Sequence, residues 1–291
     1  MPDLGPFIVA GVSLGAAYAL GGMTLVLLFR STGVLNLAHG GLGALSALVA
    51  WDLNVERGVQ VWIAVVVGVL CATAVAIAYG LIIAPRLATE PAVTQAAATV
   101  GLALVIFGAA DFGWGDQPRS LRLPTDTWAT ELAGVRVTGT RIILFVLVAA
   151  IAIGLEFFLR RSRIGLRMRA LADDRQVGAM LGVSVRKTDA TAWLIAGLLG
   201  GLSGIIFGSI SRLEAAPLTF LVIPAVAAAV GGRLRSLPAA LAAGLVMGVL
   251  ESVLTPFDGV ASYRSTAPFV LAIAAVLVFS RAAQPGARVD L

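Results

Sequence analysis

Long apolar stretches separated by short polar segments run along almost the whole chain. Nine stretches are candidates for membrane-crossing helices: 6–29, 33–51, 59–84, 91–113, 140–159, 190–211, 217–231, 237–257 and 265–281. A helix that crosses a bilayer needs about 20 mostly apolar residues. The stretch 217–231 is shorter than that, so we expect it to be re-entrant or broken. The pattern therefore predicts an all-α fold, a polytopic transmembrane helix bundle of about 8–10 spans with broken or re-entrant helices.

The composition indicates a chain surrounded by lipid. Hydrophobic residues make up 59% of the 291 residues, charged residues only 13%, and the mean hydropathy is +0.96. Soluble domains carry about 25% charged residues, so this chain could not cover its surface with polar groups in water. The net charge of +5 then bears on which side of the membrane each loop occupies. We expect membrane lipid, and no nucleic acid, among its partners.

Two long hydrophilic segments, 114–139 and 160–189, interrupt the apolar pattern. Placing 160–189 in the cytoplasm puts 14 of the 21 basic residues on the cytoplasmic side, as the positive-inside rule favours. The segment 114–139 is then extracytoplasmic, the N-terminus lies outside and the C-terminus lies in the cytoplasm. No basic residue precedes the first apolar stretch, so we expect that stretch to be retained as a span and not cleaved as a signal peptide.

The first candidate site lies where the first two apolar stretches meet. Asn36 and His39, the chain's single histidine, stand there among Gly33, Gly40 and Gly41. Polar side chains amid glycine at membrane depth suggest a broken helix, which transporters use to hold solute groups. Alternatively, the two side chains only hydrogen-bond to neighbouring spans and fix their packing. The residues leave both interpretations open.

Two further polar residues within apolar stretches are candidates for lining a solute pathway. Glu251 has no basic neighbour along its helix, and intramembrane acids are often functional. Thr99 is a weaker candidate of the same kind. Glu156, by contrast, is explained by a pair with Arg160 four residues later.

The segment 173–181 is predicted to be a short amphipathic helix within the polar loop. Asp173 and Gln176 have the spacing of an N-terminal capping pair, and Gly182 is expected to end the helix. The apolar side chains of this helix fall on one edge: Val177, Met180 and Leu181. This edge could dock onto a cytoplasmic partner, or it could lie on the membrane surface. Both interpretations remain open from the residues.

Catalytic chemistry is not indicated. The sequence has no P-loop and no Gly-x-Ser-x-Gly elbow, and one histidine with the single Cys71 excludes the usual metal sites and a disulfide framework. The chain is therefore expected not to be an enzyme and not to hydrolyse ATP by itself. A stand-alone secondary transporter or channel remains an alternative, although such a transporter needs ionisable relay groups, and few are present.

Three separated motifs, in order, resemble the permease subunits of the branched-chain amino acid ABC importers (the LivH/LivM type). They are Gly33–Gly40 (GVLNLAHG), Arg163–Asp174 with the following Ala179–Val183, and the series Gly231, Gly232, Ser236, Pro238, Gly244, Gly248 and Glu251. The resemblance covers nearly the whole chain, so 1–291 is expected to be a single transmembrane permease domain in a prokaryotic inner membrane.

The resemblance implies an importer of several subunits that moves solute inward by alternating access. A second permease, either a copy or a paralogue, would complete the pathway, and an extracytoplasmic binding protein would deliver solute. Two cytoplasmic ATPases would bind ATP and Mg, so no cofactor is expected in this chain. The helix at 173–181 becomes the expected ATPase coupling helix. Members of the family differ in cargo, which includes branched-chain amino acids, amides, urea and carboxylic acids.

Overall fold

A computed structural model describes residues 4–257 except 116, 122 and 133–134, together with the isolated positions 259, 266, 269, 270 and 273. The predicted span 265–281 lies outside the described residues apart from those isolated positions. The helices of the described part are α1 (Gly5–Thr32), α2 (His39–Trp51), α3 (Val61–Ala78), α4 (Ala92–Trp114), α5 (Gly139–Arg161), α6 (Arg163–Asp173), α7 (Arg175–Met180), α8 (Val185–Ile210), α9 (Ala215–Thr219), α10 (Val222–Gly231) and α11 (Leu237–Val253). Turns of π-helix at Asp52–Glu56 and Tyr79–Ile83 extend α2 and α3, and 3-10 turns follow at Ala84–Leu87 and Pro124–Thr127.

The predicted helix bundle is confirmed. Five helical segments of the described part are long and apolar enough to cross a membrane: Gly5–Thr32, Val61–Leu87, Ala92–Trp114, Gly139–Arg161 and Val185–Ile210. The predicted span 217–231 is indeed broken, because α9 and α10 are separated at residues 220–221. The predicted span 33–51 is shorter than expected, since its first six residues are not helical.

A small hairpin was not predicted. Strands β1 (Ala129–Leu132) and β2 (Val135–Thr138) pair antiparallel within the long polar segment 114–139. We call this side of the bundle the hairpin end. The opposite side, which carries α6, α7 and the residues between α5 and α8, is called the arginine-rich end.

Burial separates a central helix from peripheral ones. In the most apolar stretch of α1, 83% of residues are buried, compared with 17% in α4 and 22% in α5. Large apolar side chains such as Leu104 on α4 and Phe157 on α5 are exposed, as expected for surfaces that face lipid. Helix α1 is therefore the centre of the bundle.

Glycines allow α1 and α11 to approach closely. A Cβ on Gly15 would lie 2.8 Å from the Cα of Leu245, and one on Gly11 would lie 2.5 Å from the Cα of Val249. Small residues serve this purpose in membranes, where no hydrophobic force drives helices together. Ser236 begins α11 by accepting a hydrogen bond from the Ala239 N–H.

Candidate functional site

The first feature of the site is a break in the helix at membrane depth. Helix α1 ends at Thr32, and Gly33 takes a positive φ of 77° so that the chain can reverse. Residues 33–38 then return along the bundle, and the ring of His39 lies beside Gly21 of α1. Gly21 is eleven residues before the end of α1, which corresponds to about 16 Å of helix. Helix α2 thus begins inside the bundle, and the predicted broken helix is confirmed.

A second break meets the first at the same depth. A Cβ on Gly40 would overlap the carbonyl oxygen of Thr219, the last residue of α9, and would lie 2.9 Å from the Val222 nitrogen at the start of α10. The main chains of the two interrupted elements are therefore in direct contact. Non-helical backbone at membrane depth is tolerated where it is buried in protein, as it is here.

Hydrogen bonds from side chains hold the first break. The Thr99 hydroxyl accepts from the Leu37 N–H at 3.0 Å and lies 3.2 Å from the Leu35 carbonyl oxygen. The Asn36 side-chain oxygen accepts from the Ala38 N–H at 3.1 Å. These two polar groups thus satisfy the N–H groups of Leu37 and Ala38, which have no helical hydrogen bond. Thr99, which the sequence placed among the weaker pathway candidates, is fully buried against this segment.

His39 is enclosed by helix backbone. Its side chain is 1% exposed. A Cβ on Gly21 of α1 would lie 2.8 Å from its Nε2, and a Cβ on Gly200 of α8 would lie 3.4 Å from its Nδ1. Neither ring nitrogen has a hydrogen-bond partner among the described residues, nor does the Asn36 side-chain nitrogen.

Glu251 lies in a different environment, beside open volume near the hairpin end. Its carboxylate accepts a hydrogen bond from the Tyr18 hydroxyl at 2.9 Å. Two cavities of about 250 Å³ each share Tyr18, Phe207 and Glu251 in their walls. Of the four predicted pathway residues, Glu251 is the one that lines these cavities; Asn36, His39 and Thr99 do not.

The two cavities extend in different directions from the shared wall. The first is also lined by Ser13, Arg141 and Ser252. The second reaches Phe220 and Leu221, the break between α9 and α10. The sequence did not single out Tyr18, Arg141 or Phe207 for the pathway. The available signal was Arg141, the one charged side chain in the N-terminal half of α5.

A larger cavity opens at the arginine-rich end. Its volume is about 610 Å³, and its walls include the last turn of α1 and the junction between α6 and α7. Arg30, Thr32, Asp173, Arg175 and Arg235 are among its polar lining residues. Cavities at both ends of the bundle thus flank the central breaks.

The short helix in the polar loop is present, but its predicted start was wrong by two residues. Helix α7 begins at Arg175, and the capping residue is Asp174, whose carboxylate accepts from the Gln176 N–H at 2.8 Å and the Val177 N–H at 2.9 Å. Asp173 is the last residue of α6. The error arose because Asp174 alone has the extended backbone of a cap, with φ −151°, which the Asp-x-x-Gln spacing does not reveal. Gly182 ends the segment with φ +86°, as predicted.

The apolar edge of α7 is exposed. Met180 is 85% exposed, Leu181 78% and Val177 50%. The opposite side of the helix packs inward, since a Cβ on Gly178 would lie 2.8 Å from the Leu171 side chain of α6. The three predicted coupling side chains therefore share a surface that projects from the bundle.

Arg175 ties this helix to the membrane-spanning helices. Its guanidinium forms an ion pair with Asp189 of α8. It also donates to the carbonyl oxygens of Ser31 and Thr32, at 3.3 and 3.5 Å. These carbonyls belong to the C-terminal end of α1, where a cation is favoured by the helix dipole. Arg175 of α7 thus holds the end of α1, directly before the non-helical segment 33–38 begins.

Comparisons with known proteins agree with this arrangement. A family model described as "Branched-chain amino acid transport system / permease component" matches residues 7–280. The chain is 25% identical over 284 residues to the high-affinity branched-chain amino acid transport system permease protein LivH of Salmonella typhimurium, covering 92% of this chain and 91% of that protein. It is 26% identical over 272 residues to the corresponding permease protein BraD of Pseudomonas aeruginosa, covering 87% of each.

A solved structure has the same fold. It is described as "PsaBC from Streptococcus pneumoniae in complex with Fab", and it aligns with 94% of this chain and 89% of its own chain at a TM-score of 0.50 and 16% identity. The family match spans almost the whole sequence and confirms the resemblance carried by the three motifs. The chain belongs to the family of permease components of branched-chain amino acid transport systems, a family of multi-pass membrane transport proteins and not of enzymes.

Proposed function

We propose that this chain is the membrane-spanning subunit of an ATP-driven importer for a small zwitterionic solute of the amino acid class. It works beside a second permease, a copy or a paralogue, with two ATPases that bind ATP and Mg. An extracytoplasmic binding protein supplies the solute. The relatives named above are permeases for branched-chain amino acids, which supports this class of cargo.

The arginine-rich end faces the cytoplasm in this proposal. Support comes from the excess of basic residues on that side and from the rule that cytoplasmic loops carry more Lys and Arg. The hairpin end then faces outward, with the N-terminus on that side and the C-terminus in the cytoplasm. The chain resides in a prokaryotic inner membrane.

The cavity beside Glu251 is the proposed outer part of the pathway. A carboxylate from Glu251 and a guanidinium from Arg141 line the same small volume, together with the apolar side chains of Leu14 and Phe207. An ammonium group pairs with the first and a carboxylate with the second, while an aliphatic side chain is accommodated by the apolar wall. These features favour an amino acid over urea, which carries no charge.

The breaks around His39 lie between this cavity and the larger one at the arginine-rich end. Asn36 and Thr99 hold the first break by hydrogen bonds, and His39 fills the space between α1 and α8. In this proposal these three residues belong to the closed part of the pathway, where they separate its two openings by fixing the packing of the broken segments and not by contact with solute. Interrupted helices with buried non-helical backbone are the usual elements of transporters that alternate between two openings.

The exposed apolar edge of α7, held by Arg175 on α1 and α8, is the observation that carries the ATP-driven mechanism. Helix α7 and Leu181, the residue that follows it, project three apolar side chains, which fit a groove on a partner protein. Because Arg175 bonds to the end of α1, a displacement of α7 is passed to the residues that lead into the central break. Asp173 lies in the wall of the adjoining cavity and does not cap the helix.

Co-purification of the ATPase tests this proposal. Replacing Leu181 by Asp places a charge where the partner groove requires an apolar anchor, which costs about 2 kcal/mol or more, roughly a thirtyfold loss of association. We expect Leu181→Asp to release the ATPase and to abolish transport while the permease still inserts. Gln176→Asp is the matched control, because it adds the same charge to the same helix without removing an apolar anchor.

Two results would contradict the coupling assignment. One is an ATPase that stays bound to the Leu181→Asp permease with normal hydrolysis. The other is a wild-type permease that transports solute in the absence of any ATPase, which would favour the alternative of a stand-alone secondary transporter or channel. If α7 instead lies on the membrane surface, the variant weakens lipid contact and leaves the ATPase attached.

A further inference from the structure

Two adjoining cavities at the arginine-rich end have opposite chemical character. One has a volume of about 510 Å³ and a wall rich in arginine, and the other has a volume of about 460 Å³ and a mainly apolar wall. They share Glu156, Arg160, Leu237 and Pro238, so they form one continuous depression between α5 and α11. Neither cavity is part of the proposed solute pathway, although Arg30 and Arg235 of the first also line the 610 Å³ cavity.

The polar part carries a surplus of positive charge. Its charged lining residues are Arg30, Arg160, Arg169, Arg235 and a single carboxylate, Glu156. Glu156 accepts from the Arg160 guanidinium at 2.5 Å and so compensates one of the four cations. Arg30 and Arg169 bond to uncharged main-chain groups, so these contacts do not reduce the surplus of positive charge.

Main-chain contacts order these arginines. Arg30 donates to the carbonyl oxygen of Arg235 at 2.9 Å, and Arg169 donates to that of Arg160 at 3.2 Å. The Nε of Arg169 is buried and has no hydrogen-bond partner among the described residues. The guanidinium groups of Arg30 and Arg169 are therefore held in place before any ligand binds, which lowers the entropic cost of binding an anion.

The apolar part is open to the lipid side of the bundle. Its lining includes Met23 and Leu241 and, on the spanning helix α5, Ile153 and Phe157, which are 73% and 64% exposed. Side chains so exposed on a membrane-spanning helix contact hydrocarbon. A ligand that fills both parts must join an anionic group to an acyl chain.

We propose that this depression binds an anionic phospholipid, with its phosphate on the arginines and an acyl chain along α5. Guanidinium groups bind phosphate by paired hydrogen bonds. Basic pockets between spanning helices at the cytoplasmic surface are typical places for acidic headgroups. A free phosphate would leave the apolar part unused, and an acidic protein segment would not account for the part that faces lipid. The lipid would join α1, α5 and α11, next to the last turn of α1 that Arg175 holds.

Native mass spectrometry of the full chain in detergent tests this proposal. The probes are phosphatidylglycerol, phosphatidylcholine with the same acyl chains, and glycerol 3-phosphate. We expect phosphatidylglycerol to remain bound at least about tenfold more strongly than either of the others, because only it supplies both the net negative charge and the chain. Equal retention of the two phospholipids would contradict the proposal, and so would equally strong binding of glycerol 3-phosphate.

Variants locate the binding. Arg169→Gln together with Arg235→Gln is expected to remove the preference for phosphatidylglycerol. Arg186→Gln, an exposed arginine on α8 that does not line the depression, is the matched control. A double variant that keeps the wild-type preference would place the lipid elsewhere and overturn the proposal. If the double variant does not fold, photocrosslinking of an acyl-labelled phosphatidylglycerol to the wild-type chain decides, since labelling of α5 is expected and labelling only of α3 or α4 would refute it.

Discussion

The segment around His39 and the cavity around Glu251 both place polar side chains inside the bundle, but they differ in the space around them. His39 is enclosed between glycines of α1 and α8, and a backbone carbonyl lies against Gly40, the next residue. The Glu251 carboxylate accepts a hydrogen bond from the Tyr18 hydroxyl and faces two cavities. From the sequence alone, the two were candidates for the same role.

The difference shows that polar side chains inside a membrane protein can have two functions. At the central breaks, Asn36 and Thr99 satisfy N–H groups of a main chain that has left the helix, which would otherwise be costly in lipid. At the hairpin end, a carboxylate is exposed to a volume that a solute can enter. We therefore expect substitutions at the breaks to lower stability and substitutions at Glu251 to lower transport with stability preserved.

The largest effect is expected for Gly40→Ala. The new Cβ would overlap the Thr219 carbonyl oxygen, which is main chain and cannot rotate away. Overpacking of this kind costs about 3 kcal/mol, the upper end of its usual range. The folded fraction, measured by size-exclusion chromatography of the detergent-extracted protein, should fall sharply.

Gly101→Ala is the control for that experiment. It makes the same chemical change within α4, but no atom outside the local helix lies within 4 Å of the new Cβ. Its folded fraction should equal or exceed that of the wild type, because alanine favours helix over glycine by about 1 kcal/mol. Equal losses in both variants would mean that the two breaks do not meet as described.

Smaller effects are expected for Glu251→Gln and His39→Ala, and they should differ in kind. The first variant should impair uptake, and the second should lower stability. Glutamine keeps the shape of Glu251 and can still accept from Tyr18, but it lacks the charge that would hold an ammonium group. A charged hydrogen bond contributes about 1.5–3 kcal/mol, so the KM for uptake should rise about tenfold or more. His39→Ala leaves a hole between α1 and α8 and should lower the melting temperature instead.

Uptake assays and thermal denaturation of both variants measure this contrast. A Glu251→Gln permease with normal uptake kinetics would remove Glu251 from the pathway. A His39→Ala permease with wild-type melting but no uptake would show that the enclosed histidine takes part in transport directly, and the proposed distinction between the two regions would fail.

Much of the fold was predictable because lipid imposes a strong pattern. The ends of α4, predicted from 91–113, agree with the structure to one residue, since hydropathy changes sharply at both. The break before His39 was also predictable, from glycine and polar residues within an apolar stretch. The start of α7 was not, because two adjacent aspartates can each cap a helix and only the backbone conformation chooses between them.

The residues that line the cavities were harder to predict from the sequence. Tyr18 meets Glu251 across 233 positions of chain, and Arg175 meets Ser31 across 144, so no local spacing links the members of either pair. Such pairs depend on which faces of α1, α8 and α11 pack together. Glycine positions determine which helix faces can pack closely, but a single sequence does not show which helix lies against each glycine.

The central claim is that the Glu251 cavity and the arginine-rich end open on opposite sides of the membrane. Labelling of single cysteines from each side tests it most directly. Ser252 lines the first, and Ala172 lines the 610 Å³ cavity at the other end. Each is replaced by cysteine in a Cys71→Ala background and exposed to an impermeant thiol reagent in intact cells and in inverted vesicles. The account predicts that Ser252→Cys reacts only in intact cells and that Ala172→Cys reacts only in inverted vesicles. Reaction of both variants from the same side, or the reverse pattern, would contradict it.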